Sequence, residues 1–415
     1  MSSSDIVWID NAAAVKKLAD VLSGVSEICL DTEADSMYRY RARLCFLQIE
    51  AGGRIFLVDA LAVPELAPIA SFMEDPSVTK VFHGADFDLM ILKRKAGFRF
   101  ANIFDTMVAS QFLGREALGL AALVSDNFGV TLDKTYQRFD WGKRPLYREH
   151  LDYLSSDVRY LSELRRRIER DLQAEALHEV ARIEFDRMAQ VPMVEESLDP
   201  EGFRRVKGAR DLDQVGLSVL REVWHLRESL ASESDRPPFK VLGNDALIAL
   251  SHQRPIDPAI IHRTANVPAH VFDRIGARLI QAIRTGEKNA HMVPLRLPLG
   301  PRLPDWQVAI GEALRAWRRQ RSETDRRTPL AILPNHAIDR IAAARPVDTE
   351  GLREIPWLGD DRIARYAEDI LAITKDPPPL ETLKRSRWRR KSSDAFDDGT
   401  DTLPGIDAGD SREPS

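Results

Sequence analysis

Every strand signal in this 415-residue chain lies before Leu172. Glu27–Asp31, Leu44–Ile49, Arg54–Val58 and Thr79–Phe82 are short apolar runs of strand length. Ala51-Gly52-Gly53, between the second and third runs, reads as a hairpin turn. Helical stretches interleave with them over Pro64–Met73, Phe87–Lys93, Thr106–Leu113 with Asp105 as its N-cap, and Arg148–Leu172. Strands first and interleaved helices after predict an α/β domain with a mixed sheet.

Beyond Leu172 the pattern is helical only. An amphipathic stretch over Leu212–Leu230 is followed by the break Arg236-Pro237-Pro238-Phe239-Lys240 and a helix over Asp245–Ser251. After a Pro-rich stretch from Val293 to Pro304 the layout repeats, beginning with an Arg-rich helix over Trp306–Arg321. This predicts two small all-α modules of roughly 70 residues each, a size at which a domain can fold alone. The expected boundaries are 1–190 for the α/β domain, 205–290 and 304–375 for the modules, and a disordered tail over 376–415, where Pro, Ser, Asp and Gly dominate.

Composition excludes several classes. Two cysteines, Cys29 and Cys45, are too few for a disulfide scaffold or a Cys-rich zinc site, and both sit in apolar runs, as buried free thiols in a reducing compartment would. The N-terminus has no basic stretch followed by an apolar core, and no apolar run approaches the ~18 residues of a membrane helix. A soluble cytoplasmic protein is expected. The net charge of −5 argues against a nucleic-acid partner only where the basic residues are not segregated.

Three groups of acids carry possible chemistry. Asp31 and Glu33 are two apart on one strand, so both project from one face. Tyr153 and Asp157 are four apart, one helical turn, on the edge of the stripe Leu151, Leu154, Val158, Leu161 and Ile168. Asp86 and Asp88 open the helix after Val81-Phe82, at a strand-to-helix junction where α/β folds place functional groups. Each feature alone is ordinary: a strand running into solvent, a boundary tyrosine, an N-terminal cap. Together they describe carboxylates that repel one another unless a divalent cation is bound among them. Oxygen ligands of this kind suit Mg²⁺ or Mn²⁺. A pair of such ions is the usual device for phosphodiester cleavage.

Asp31-Thr32-Glu33, Val81-Phe82-His83-Gly84-Ala85-Asp86-Phe87-Asp88-Leu89 and Tyr153-Leu154-Ser155-Ser156-Asp157 resemble, in order, the three exonuclease motifs of ribonuclease D, the tyrosine branch of the DEDD exonucleases. Phe104-Asp105-Thr106-Met107 and Asp140-Trp141-Gly142-Lys143-Arg144-Pro145-Leu146 are placed as in that family, and the resemblance covers residues 5 to 172. Downstream, Arg236–Leu242 with Asp245-Ala246-Leu247 looks like an HRDC (helicase and ribonuclease D C-terminal) module, and Trp306–Thr374 looks like a more divergent copy.

The resemblance implies a ribonuclease H-like mixed sheet with flanking helices, followed by two HRDC modules. It implies that Asp31, Glu33, Asp88 and Asp157 bind two divalent ions, Mg²⁺ or Mn²⁺, with Asp88 chosen over Asp86 because it stands directly before Leu89. Tyr153 would orient the attacking water and help deprotonate it. The implied activity is 3′–5′ hydrolysis of RNA, releasing nucleoside 5′-monophosphates from 3′ ends, precursor tRNA being the family's typical substrate. A monomer is expected. His83, Lys143 and Arg144 are candidate substrate contacts, each with an equally ordinary structural or solvated role. The arginines between Arg315 and Arg327, and the tail segment Lys384–Lys391 with Trp388, are candidate RNA tethers. Two other readings remain: a DNA 3′–5′ exonuclease of the Werner type, and an RNA-binding scaffold without activity. No GxxxxGK[ST] phosphate loop is present, which excludes a helicase of the Werner kind.

Overall fold

Six strands, β1 (Ile6–Ile9), β2 (Glu27–Ala34), β3 (Leu44–Ala51), β4 (Arg54–Asp59), β5 (Thr79–Phe82) and β6 (Ile103–Asp105), form one sheet in the order β1-β4-β3-β2-β5-β6. They belong to a computed structural model that describes residues 6–63, 65–193, 197–266, 268–295 and 303–379. The sheet is mixed, as the sequence predicts. Gly52 and Gly53, at φ of 57° and 80°, close the antiparallel β3–β4 hairpin, where side chains with a Cβ would be strained. β2 runs antiparallel to β3 on one side and parallel to β5 on the other. The two outer strands escape the sequence reading because they are short. β1 has four residues, among them the partly exposed Trp8, and β6 has three.

The helices of this domain are α1 (Ala12–Leu22), α2 (Ala70–Glu74), α3 (Asp86–Ala96), α4 (Thr106–Phe112), α5 (Leu120–Phe128), α6 (Arg148–Arg159), α7 (Leu161–Ala174) and α8 (His178–Gln190). Asp105 caps α4, its side chain accepting from the Met107 and Val108 amides. The stretch read as one helix from Arg148 to Leu172 is two, parted at Tyr160. No Gly or Pro marks the break, and the apolar stripe runs through it. Packing explains it: α6 lies on β2, β3 and β4 while α7 lies on β2 and reaches β5, and the Tyr160 ring rests 5.7 Å from that of Phe128.

Cys29, Phe46, Ile55, Leu57 and Val81 on the sheet pack with Tyr153, Leu154, Val158 and Leu161 from the helices above. By strand alternation, Asp31 and Glu33 share this face and Thr32 the opposite one. The ladder between β2 and β5 is paired only from Glu27↔Thr79 to Cys29↔Val81, so Asp31 and Glu33 extend past it to where β5 turns into α3. The crevice beyond the carboxyl ends of parallel strands is therefore lined with acid.

The rest is helical. α9 (Gln214–Glu233), α10 (Pro238–Val241), α11 (Asn244–Gln253), α12 (Pro258–Ala265) and α13 (Ala269–Lys288) enclose a core that includes Leu220, Val223, Leu247, Ile261, Leu279 and Ile283. This group lies with the α/β domain in one compact unit, up to Arg302. Within that unit Arg39 pairs with Asp235 at 2.7 Å, and the Lys240 ammonium sits 4.0 Å from the Tyr38 ring centroid.

The second unit, from Leu303, holds α14 (Asp305–Asp325), α15 (Pro329–Ile332), α16 (Asn335–Ala344), α17 (Thr349–Arg353) and α18 (Asp360–Lys375) around Ile310, Leu314, Ile332, Ile338, Ile341 and Ile370. The repetition seen in the sequence is structural. Pro238 and Pro329 open equivalent single-turn helices, and Arg254 and Arg345 close the next helices in the left-handed region, at φ of 50° and 47°. Among the described residues no helix is long and apolar enough to cross a membrane. The tail segment Lys384–Lys391 lies outside the described residues.

Candidate active site

β2 and α6 bring the first three acids together. One carboxylate oxygen from each of Asp31, Glu33 and Asp157 lies within 4.8 Å of the other two. Asp88 stands beside this group rather than in it. It comes from the first turn of α3 and accepts a 2.5 Å hydrogen bond from the hydroxyl of Thr32, which faces away from Asp31 and Glu33. Its charge still raises the carboxyl of Glu33, and Asp31 raises that of Asp88 in turn. Asp86 is exposed and senses Asp105, Arg187 and Glu184 instead.

All four acids are pushed above the ordinary carboxylate range, Asp157 to about 7. Burial is the largest cause for each. For Asp31, Glu33 and Asp88 the second cause is a neighbouring carboxylate. Among the described residues no Lys, Arg or His lowers any of them. Three carboxylates converging without a cation of the chain's own form a donor set of hard oxygens, which fits Mg²⁺ or Mn²⁺.

Tyr153 lines the same wall. Its ring stacks on Trp141, with centroids 5.6 Å apart and planes at 30°, and meets Tyr136 edge-on at 5.9 Å. Burial, then Asp157, Glu33 and Asp31, raises the phenol above its usual value, so it carries its proton at neutral pH.

Two buried acids that touch nothing catalytic hold the frame. Asp105 accepts from the amides of Gly84, Ala85, Met107 and Val108 at 2.7–3.1 Å, pinning the β5–α3 turn that delivers Asp88. Gly84 is needed in that turn. Its φ is 73°, and a Cβ there would sit 3.1 Å from Met107 Cε. Asp59 takes a bidentate hydrogen bond from Arg144, at 2.8 and 2.6 Å.

That pairing changes the reading of the candidate substrate contacts. Arg144 also donates to the Trp141 carbonyl and lies over the Phe46 ring, so its guanidinium is committed to the frame. Lys143 is exposed. His83 is half-buried, and burial lowers its pKa to about 4, so it is neutral. The Thr106 hydroxyl donates to the Phe82 carbonyl, so the 2.9 Å contact to His83 must be donated by Nδ1–H. Nε2 is left as an acceptor, suited to a hydroxyl and unsuited to a phosphate oxygen. Several arginines of α14 are likewise engaged. Arg315 pairs with Asp339, Arg321 pairs with Asp325, and Arg318 donates to the Leu333 carbonyl. The sequence reading passed over Thr32 as a partner of Asp88, and passed over Gln48, which pairs with Asp31 across the β2–β3 ladder.

Known proteins resemble this chain in sequence and in fold. A family model described as 3′-5′ exonuclease matches residues 6–173, and the HRDC domain model matches twice, over 216–283 and 307–374. Ribonuclease D of Desulfotalea psychrophila is 29% identical over 66% of this chain and 74% of its own length. Ribonuclease D of Nitrobacter hamburgensis is 28% identical over 88% of this chain and 97% of its own. The exosome complex exonuclease RRP6 of Saccharomyces cerevisiae is 29% identical over 70% of this chain, which spans only 42% of that longer protein. Among solved structures, Escherichia coli RNase D superposes with a TM-score of 0.64 over 90% of this chain and 99% of its own, at 22% identity, a likeness of fold.

Proposed function

We propose that this chain, similar to ribonuclease D in its exonuclease and HRDC regions, is a 3′–5′ exoribonuclease that trims the 3′ ends of precursor tRNA and other structured RNA, releasing nucleoside 5′-monophosphates with two divalent ions, Mg²⁺ or Mn²⁺. The observation that carries this reading is the convergence of Asp31, Glu33 and Asp157 without a compensating cation among the described residues. Asp31, Glu33 and Asp157 would hold the ions, with Asp88 completing the acidic set from the α3 side. Ions bound there would activate water and neutralise the departing 3′ oxygen.

The chain's own residues do the positioning. Tyr153, protonated and fixed by Trp141 and Tyr136, donates a hydrogen bond that orients the attacking water. Its raised pKa makes it an orienting donor rather than the base. Thr32 holds the Asp88 carboxylate through its hydroxyl, and Asp105 holds the turn from which Asp88 projects. His83 Nε2 offers an acceptor to a hydroxyl of the terminal nucleotide. We read the active form as a monomer and the substrate as single-stranded 3′ ends, which expose their terminal nucleotide more easily than duplex.

The test is incubation of the protein with a 3′-extended precursor tRNA and with matched RNA and DNA oligonucleotides, each with and without Mg²⁺ or Mn²⁺. Stepwise release of 5′-monophosphates from RNA, only with metal, is the expected result. Trimming that survives chelation would overturn the metal-dependent reading, and equal rates on DNA would replace RNA as the substrate.

A further inference from the structure

Gln48 is fully buried, and neither its Oε1 nor its Nε2 has a hydrogen-bond partner among the described residues. A buried unpartnered amide is unfavourable by about 1–3 kcal/mol for each such group, and an apolar side chain of the same volume would avoid it. Leu57 faces it on β4, Leu154 and Val158 of α6 belong to the apolar cluster on this face of the sheet, and Glu50 follows two residues on along the same face of β3. Its partner on the other side is an acid of the site. Gln48 is directly paired with Asp31, and side chains of paired antiparallel residues leave the same face with Cβ atoms about 4.5–5.5 Å apart. The amide therefore lies behind one of the three converging carboxylates, on the side away from solvent.

We propose that Gln48 is a positioning residue for Asp31: its Nε2 donates, through one ordered water, to the Asp31 carboxylate and fixes the angle at which that carboxylate faces a divalent ion. The proposal rests on the metal-site reading above. Its chemistry is that of an outer partner. The Thr32 amide lowers the Asp31 carboxyl, and a carboxylate has room for about four hydrogen bonds, so an amide-bound water and an ion can be accommodated together. A donor behind the carboxylate stabilises its ionised form and stops it rotating, and removing such partners typically weakens metal affinity 10–100-fold.

The experiment measures Mn²⁺ binding by isothermal titration calorimetry, with the thermal midpoint of the metal-free protein, for the full-length wild type, Gln48→Met and Asp31→Asn. The proposal expects Gln48→Met to weaken Mn²⁺ binding by about tenfold while the metal-free midpoint stays the same or rises, because an unpartnered amide has gone. A side chain that only filled space would move the midpoint and leave the affinity alone. Wild-type Mn²⁺ affinity in folded Gln48→Met overturns the proposal. Asp31→Asn separates the two readings: if it too binds Mn²⁺ like the wild type, the metal site itself is misassigned. Should Gln48→Met fail to fold, a crystal structure of the wild type with Mn²⁺ decides. A water within hydrogen-bond distance of both Gln48 Nε2 and an Asp31 oxygen supports the proposal, and an amide satisfied elsewhere ends it.

Discussion

The α/β domain holds two kinds of carboxylate away from water, one buried and one half-buried, and their difference separates frame from function. Asp35, Asp59 and Asp105 are at most 4% exposed, and each is answered by the chain. Arg43 serves Asp35 through its backbone amide and its guanidinium, Arg144 clamps Asp59, and four amides converge on Asp105. Among the described residues Asp31, Glu33 and Asp157 have no such cation, and each is raised by burial, Asp31 and Glu33 by neighbouring carboxylates as well. A fold under selection for stability alone would not keep three anions within 4.8 Å of each other. Where the chain supplies a cation or converging amides, the acid is structural. Where it supplies neither, the ionised acids call for a cation from outside, which is the role proposed for the metal.

The sharpest way to break this contrast is Asp157→Asn. It should lower exonuclease activity by about 10³-fold or more, since a bound divalent ion contributes several kcal/mol at the transition state, while raising the thermal midpoint of the metal-free protein. Sign follows from linkage. A carboxyl raised above its unfolded value of about 4 contributes stability that is present below that pH and lost as pH rises through the folded value, about 7 for Asp157. The wild type without metal should therefore lose stability between pH 4 and 8, and the midpoint gained on adding Mn²⁺ should be larger at pH 8 than at pH 5.5. A gain that is flat with pH would mean the acids are not the binding site.

A structural acid should behave in the opposite way. Asp105→Ala leaves buried amides without an acceptor and should lower stability by about 2–3 kcal/mol in urea titrations. Activity should then fall only as far as the β5–α3 turn loosens Asp88. The smallest effect is expected at Arg144→Met, about 1–2 kcal/mol of stability, because the pair is partly exposed and Asp59 retains the Leu61 and Ala62 amides. RNA affinity measured by fluorescence anisotropy should be unchanged. Weaker binding at wild-type stability would return Arg144 to the substrate.

Legibility in the sequence follows range. The β3–β4 hairpin, the Asp105 cap and the spacing of Asp31 with Glu33 and of Tyr153 with Asp157 are local, fixed by turn chemistry and by the periods of strand and helix, and they are visible in the chain. β1 and β6 are too short to carry a pattern. The break at Tyr160 has no sequence mark, because it exists to let α6 reach β3 and β4 while α7 reaches β5. Asp88 reads as an equal member of the acidic set, and it stands beside the group of Asp31, Glu33 and Asp157, hydrogen-bonded to Thr32.

By itself, then, the sequence determined which side chains could bind metal, the mixed α/β domain and the repeated helical module, since each follows from residues a few positions apart. Only the tertiary structure decided which acids are neutralised. Arg144 meets Asp59 across 85 residues, Asp105 gathers amides from two separate turns, and Gln48 comes to lie behind Asp31 through strand register. Charge compensation depends on distance in space, and chain spacing does not encode it.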